Sequence, residues 1–297
     1  MLDITELLRN AWNITWKHKS LWGVAILMMG ATFLFFPLIF APMFMILIEG
    51  DPLRWLENPL PWIVLAIGFL GMMIMSYGLG PLFRSVLVTG VLKAERGAEK
   101  LSFRELFRDG SAFYLPFLGV MLLFALATML VSLLFSAIQI FGTLVTMGLA
   151  SLCLTPLSFL MYPFMFAAMA WMELAESAVV ADGLGVMDAI RRAWETLRVN
   201  KMNVFIVALI VYVGVGMVTM LVMVPFFLPV FFAPIFFLEG GEISNGLLWG
   251  AGTWMILFIP IMTFIQGIGM VFMKTSWLLT YLRVRKAPDM VAMETVA

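Results

Sequence analysis

The residue types that most often carry chemistry are scarce in this chain of 297 residues. It has one cysteine, Cys153, inside an apolar run, and one histidine, His18, between Lys17 and Lys19. A disulfide framework, a zinc site or a c-type haem attachment needs several such residues at defined spacings. We therefore expect no catalytic residue, no metal and no cofactor, and we expect His18 at a hydrated surface rather than on a haem or pigment.

Opposite charges lie close together at one place in the chain. Glu173, Glu176 and Asp182 precede a group of arginines in the sequence. One interpretation is a solvated ion-pair cluster; the other is a docking surface for a soluble partner or an anionic lipid headgroup, to which each basic residue adds about 1 kcal/mol. The predicted docking residues are Arg191, Arg192, Arg198, Lys201, Arg9, Lys17 and Lys19.

The amino-acid composition indicates which class of protein carries these residues. Hydrophobic residues make up 63% of the chain and charged residues 12%, whereas about 25% of residues are charged in soluble domains. An ordinary soluble protein is thereby excluded. Lys plus Arg equals Asp plus Glu at 18 each, so no basic surplus exists to bind nucleic acid.

Uncharged stretches predict the membrane spans. They cover residues 20–48, 58–83, 110–172, 202–238 and 243–273. A helix needs about 20 apolar residues to cross a bilayer, so 110–172 must hold two spans with a turn near residues 139–143. The predicted fold is an all-α integral membrane bundle of six helices, near 21–48, 61–84, 113–137, 143–172, 202–236 and 249–273. Pro225, Pro229 and Pro234 are expected to break or kink the outer half of the fifth span.

The basic residues predict the orientation. In a six-span topology, 17 of the 18 Lys and Arg residues fall on one side, and Arg54 alone lies opposite. The positive-inside rule then places both termini, Lys17, Arg96 and Arg191 in the cytoplasm, and Glu242 outside.

A sequence repeat precedes alternate spans. Residues 3–12 align without gaps on 185–194, and residues 102–110 form a weaker third copy. In each copy apolar residues recur at helical spacing, which predicts three short amphipathic interfacial helices. Asp3 with Glu6 and Ser102 with Glu105 have the spacing of a capping box. We expect one membrane domain over 1–282, made of helix-plus-hairpin units 1–92, 99–173 and 183–282, and a cytoplasmic tail over 283–297.

Two further sets of residues have predicted roles in the membrane. Trp12 and Trp194, at the same position of the repeat, are expected at headgroup level as interfacial anchors. Close helix packing is expected at six glycines, which are Gly78, Gly80, Gly214, Gly216, Gly267 and Gly269. The sequence also indicates that no span carries an acid or base near its middle, which disfavours proton relays and ion-coupled transport.

The segment 179–203 is similar to a known family. Val179 to Trp194, followed by Leu197 to Asn200, resembles the multi-span membrane domain of bacterial glycerophosphodiester phosphodiesterases and related stand-alone membrane proteins of unassigned function. The resemblance implies a bacterial inner-membrane protein and no catalysis, because the soluble phosphodiesterase domain is not in this chain.

The predicted function is that of a non-enzymatic accessory, scaffolding or lipid-organising membrane component. Its expected partners are membrane lipids and either another protein or further copies of the chain, with no nucleic acid. The alternative is a transporter or permease-like subunit for a lipid or small amphiphile, with a path lined by Gln266, Ser132 or Gln139.

Overall fold

The computed structural model describes residues 3–40, 42, 57–146, 148–238 and 245–294. In these ranges the chain forms helices joined by short turns, without strands, which confirms the all-α prediction. Six helical segments of the described chain are long and apolar enough to cross a membrane. They are Lys19–Phe40, Pro59–Glu95, Tyr114–Val145, Met161–Asp182, Lys201–Pro225 and Gly252–Arg285.

Each short helix precedes a pair of membrane-spanning segments. Three short ones are α1 (Ile4–Lys17), α5 (Phe103–Ser111) and α8 (Val186–Val199). The long ones are α2 (Lys19–Phe33), α3 (Pro59–Met73), α4 (Gly80–Glu95), α6 (Tyr114–Val145), α7 (Leu149–Asp182), α9 (Lys201–Leu238) and α10 (Asn245–Glu294). A π-helical segment, Ile74–Leu79, joins α3 to α4, so these three form one span.

Several boundaries differ from the predicted ones. The turn between α6 and α7 lies after Val145, where Gly148 has φ of 96°, a conformation that glycine adopts without strain. The backbone of α9 stays helical to Leu238, so its prolines do not break the helix, and the alternative prediction of a kink there stays a prediction. The last helix continues into the predicted tail as far as Glu294. Arg54 and Glu242 lie outside the described residues.

The second helix of each hairpin lies at the centre. We call α4, α7 and α10 the inner helices, because each contacts the other two. Each outer helix contacts its own hairpin partner and the inner helix of another hairpin: α2 packs on α4 and α10, α6 on α7 and α4, and α9 on α10 and α7. The same set of contacts therefore occurs three times.

The short helices also follow this order. Helix α1 packs on α10, α5 on α4 and α8 on α7, so each lies against the inner helix of another hairpin. Matching positions of the three repeat segments are buried. They are Leu7, Leu106 and Ala189, and one turn later Ala11, Gly110 and Ala193. A Cβ at Gly110 would lie 2.5 Å from the Cα of Val86, which explains a small residue there.

The predicted caps are only partly formed. The Asp3 side chain accepts a hydrogen bond from the Glu6 amide at 3.0 Å, as a capping residue should. Ser102 occupies the N-cap position of α5, but its side chain makes no capping hydrogen bond. The Glu6 carboxylate binds Arg283 of α10 at 3.1 Å instead of completing a capping box.

Candidate functional site

Four ionised side chains meet where the inner helices contact one another. Lys274 of α10 donates to both carboxylate oxygens of Glu173 on α7, at 2.8 and 2.7 Å, and to Oε2 of Glu176 at 2.5 Å. Arg84 of α4 donates from Nη1 to Oε1 of Glu176 at 3.2 Å. We call these residues the ionic cluster. Two cations balance two carboxylates, so the cluster is formally neutral.

The ionic cluster is removed from solvent. The exposed fractions of the Glu173, Glu176 and Lys274 side chains are 5%, 1% and 1%, whereas that of Arg84 is 23%. Three nearby or participating donors are buried without a hydrogen-bond partner among the described residues: Arg84 Nε, the Tyr212 hydroxyl and Trp277 Nε1. The rings of Tyr212 and Trp277 lie 5.6 Å apart. The site is thus polar, largely buried and incompletely satisfied.

This arrangement corrects two predictions. The inner helices continue past the charged residues, so Lys274, Glu173 and Glu176 lie inside candidate spans rather than beyond their ends. Glu173 and Glu176 do not form a solvated cluster with the arginines of α8. Asp182, the third acid, pairs with Arg285 and accepts a hydrogen bond from the Tyr281 hydroxyl.

The predicted docking residues lie on the protein surface. Arg9 and Arg191 are exposed at matching positions of α1 and α8, and Lys19 and Lys201 are exposed at the starts of α2 and α9. Lys17 and Arg198 are exposed as well, and Arg192 is half-buried, with its side chain 3.9 Å from Glu195. Apart from Arg192, these basic side chains are exposed in the described structure, so they are available to an anion.

The two predicted anchors have equivalent surroundings. Trp12 and Trp194 are 53% and 45% exposed. Trp12 packs on Phe272 of α10 with ring centres 6.0 Å apart, and Trp194 packs on Trp171 of α7 at 4.8 Å. Phe272 and Trp171 each lie two residues before a charged residue of the ionic cluster, so the two ring contacts occupy corresponding places on α10 and α7.

The six glycines do not share one role. A Cβ at Gly267 would lie 2.8 Å from Cγ1 of Ile26, and one at Gly269 would lie 3.4 Å from Val215, so both glycines lie at helix–helix contacts. A Cβ at Gly214 or Gly216 would meet no described atom within 4 Å, so the described residues show no close packing at these two glycines. A Cβ at Gly78 or Gly80 would meet only atoms of the same π-helical segment within that distance.

Two clefts open between hairpins. The Lys201 cleft lies between α7 and α9, has a volume of about 510 Å³ and is lined by apolar side chains except for Tyr162 and Lys201. The Arg84 cleft lies between the π-helical segment, α6 and α7, and has a volume of about 260 Å³. Helices α10 and α2, in contrast, are in close contact at Gly267.

The residues predicted for a transport path lie on two helices, α6 and α10. The Gln266 Oε1 atom accepts a hydrogen bond from Thr219 of α9 at 3.3 Å, so this side chain joins two helices. Ser132 is exposed on α6, and Gln139, also on α6, is half-buried.

Two titratable groups outside the spans have shifted pKa values. Burial lowers the pKa of His18 below its ordinary 6.5, and the charge of Lys17 lowers it further. His18 is only 4% exposed, which corrects the prediction of a hydrated histidine. On α5, hydrogen bonds from Lys93 and Arg108 lower the pKa of Asp109.

Comparisons with known proteins add no relative. No family model matches the chain, and no curated protein or solved structure matches it either. The six candidate spans define a multi-pass membrane protein.

Proposed function

We propose that this chain is a non-enzymatic, lipid-organising membrane protein that holds an anionic phospholipid in the Lys201 cleft. The observation that carries the proposal is the shape and chemistry of that cleft. Its volume of about 510 Å³ is within the range of small-molecule sites, and its apolar wall suits an acyl chain. Lys201, exposed at the start of α9, supplies a cation where the span begins.

The surrounding surface supports the same ligand. Arg198 is exposed at the end of α8, three residues before Lys201 in the chain. Basic residues near an anionic leaflet attract phosphate headgroups. The apolar chain then occupies the wall formed by Phe166, Ala167 and Phe205.

Lipid retention tests this function, and the chain provides a matched control. Lys19 begins α2 as Lys201 begins α9, but it lines neither of the two clefts. Native mass spectrometry measures how much phosphatidylglycerol the purified protein retains, and the amount of retained phosphatidylcholine is the reference. Lys201→Gln should reduce the preference for phosphatidylglycerol about fivefold, from about 1 kcal/mol per basic residue. Ala167→Phe, which fills the cleft, should abolish retention. Equal losses in Lys19→Gln and Lys201→Gln would contradict the proposal.

The proposed orientation puts the basic surface in the cytoplasm of a bacterial inner membrane, with both termini inside. The charge distribution and the resemblance of residues 179–203 support it. Cysteines placed at Arg96 and Arg191, in a Cys153→Ser background, should react with an impermeant maleimide only after the cells are opened. Labelling of either cysteine in intact cells would contradict the proposed orientation.

We also propose that the three units arose by triplication of one helix-plus-hairpin unit. Its support is the threefold recurrence of the contacts and the buried positions shared by α1, α5 and α8. The pairs Trp12–Phe272 and Trp194–Trp171 add an independent correspondence.

The ionic cluster favours one second candidate, a transporter for a lipid or small amphiphile. Ionisable groups inside spans are costly and commonly mark transport pathways. If the protein is a transporter, it should move fluorescent phosphatidylglycerol across liposome membranes. The charge-balanced variant, Lys274→Met combined with Glu173→Met, should not support this movement. Absence of such movement in the wild type would favour the lipid-organising role.

A further inference from the structure

The Arg84 cleft combines one cation with hydroxyl groups and an apolar wall. Ser76, Tyr77 and Thr128 are its hydroxyl-bearing residues, of which Thr128 donates to the Phe124 carbonyl of its own helix, and Phe124 and Ala168 belong to the apolar part. Arg84 lines the same space and is the member of the ionic cluster with the largest exposed fraction, 23%. The cleft therefore gives a ligand access to one charge of the ionic cluster, that of Arg84.

Arg84 has unused hydrogen-bonding capacity. A guanidinium has five N–H donors in a planar fork that matches a carboxylate. The described residues provide one partner, Glu176, and leave Nε buried without any. Hydrogen bonds between ionised groups are about twice as strong as those between neutral groups, so a carboxylate that enters the cleft can bind the remaining donors of Arg84.

The π-helical segment helps to shape the cleft. Such segments are rare and occur frequently at functional sites. The Tyr114 hydroxyl of α6 donates to the Gly78 carbonyl at 3.0 Å, which ties the segment to the neighbouring hairpin. Ser76 and Tyr77, two residues of the segment, line the cleft.

We propose that the Arg84 cleft binds a single-chain amphiphile that ends in a carboxylate, as a long-chain fatty acid does. Its carboxylate accepts hydrogen bonds from Arg84, and its chain lies against Phe124 and Ala168. The volume of about 260 Å³ is below the usual range for small-molecule sites, which favours one chain over the two chains of a phospholipid.

The charge balance of the ionic cluster predicts how binding responds to substitution. A bound carboxylate adds one negative charge to a neutral cluster, and it competes with Glu176 for Arg84. Glu176→Gln removes the competing charge while Glu173 still pairs with Lys274, so this variant should bind the amphiphile more tightly. A merely structural role of Arg84 does not predict tighter binding.

Two adjacent alanines on α7 give a matched pair of blocking variants. Ala168 lines the Arg84 cleft, whereas Ala167 lines the Lys201 cleft. Ala168→Phe should abolish binding to the Arg84 cleft, and Ala167→Phe should leave it unchanged. The opposite pattern is expected for phosphatidylglycerol in the Lys201 cleft, so the two proposals fail separately.

The experiment measures binding of spin-labelled stearate to the purified full chain in detergent by electron paramagnetic resonance. Arg84→Gln should weaken binding by at least about tenfold, from the loss of charged hydrogen bonds. Glu176→Gln should strengthen it, and Ala168→Phe should remove the immobilised signal. Inorganic phosphate should not compete, because it lacks a chain.

Several outcomes would overturn the proposal. They are stearate binding that survives Ala168→Phe, binding that is weakened by Glu176→Gln, or displacement of stearate by phosphatidylglycerol at lower concentration than by unlabelled fatty acid. Thermal unfolding of each variant checks that the chain is folded. Because Ala168→Phe leaves the ionic cluster intact, it tests the site even if Arg84→Gln does not fold.

Discussion

Lys274 Nζ donates to both carboxylate oxygens of Glu173, a residue 101 positions earlier in the chain, at 2.8 and 2.7 Å. The contact joins α10 to α7 inside the bundle, and Glu176 extends it to Arg84 on α4. Each inner helix thus contributes charge to one neutral set, which holds the three hairpins in register.

Removing one charge from this set should be costly. Lys274→Met leaves a buried carboxylate without its cation, which destabilises proteins by about 3–5 kcal/mol. Lys274→Met combined with Glu173→Met keeps the pair of Arg84 and Glu176, so it should recover most of the loss. Thermal unfolding in detergent checks this, and equal stability of the single and double variants would contradict charge balance as the reason.

Gly267 should tolerate no side chain. A Cβ there would lie 2.8 Å from Cγ1 and 3.1 Å from the backbone nitrogen of Ile26, so Gly267→Ala must push α2 and α10 apart, at about 1–3 kcal/mol. Gly214→Ala meets no described atom within 4 Å and should gain up to about 1 kcal/mol of helix propensity. Opposite shifts of the unfolding temperature are expected; a similar loss in both variants would refute the assigned packing.

Acidification should destabilise the protein through His18. Its pKa is lower in the folded chain than the ordinary 6.5, so the unfolded chain binds more protons as the pH falls through this range. The contribution of neutral His18 to stability is fully present above pH 6.5 and declines as the pH falls below that value. His18→Gln should remove this part of the pH dependence, and identical pH profiles for the variant and the wild type would show that His18 does not contribute.

The arginines of α8 should control association with an anionic surface. Replacement of Arg191, Arg192 and Arg198 by Gln should weaken binding to vesicles or a soluble partner in a salt-sensitive manner, since exposed charges are screened within about 8 Å at physiological salt. Gln266→Leu is the control, because this side chain binds Thr219 between two helices. Association that is unchanged without the three arginines would remove α8 as a docking surface.

Hydropathy was sufficient to predict the number of spans, because a crossing helix must be long and apolar. It did not reveal the ionic cluster. Arg84, Glu173 and Lys274 each directly follow an uncharged stretch, and a charge at that place was interpreted as the end of a span. The helices instead continue, because neighbouring inner helices supply opposite charges. Two features of the sequence could have predicted the ionic cluster: each of these residues directly follows an uncharged stretch, and their charges have opposite signs.

The glycines show the same limit of sequence patterns. Gly214 and Gly267 have the same composition around them, a pair of glycines one residue apart in an apolar helix. Only the neighbouring helix distinguishes them, since Ile26 lies against Gly267 and no described atom lies near a Cβ at Gly214. Helix pairing depends on contacts between distant segments, which periodicity does not specify.

The position of Lys274 in the last span has a consequence for biogenesis. Synthesis proceeds from the N-terminus, so α4 and α7 enter the membrane before α10. Until then Arg84 alone faces Glu173 and Glu176, and the nascent bundle carries one uncompensated carboxylate. Insertion of α10 brings Lys274 to the two carboxylates and restores the charge balance, so a bundle without α10 should be less stable than one that contains it.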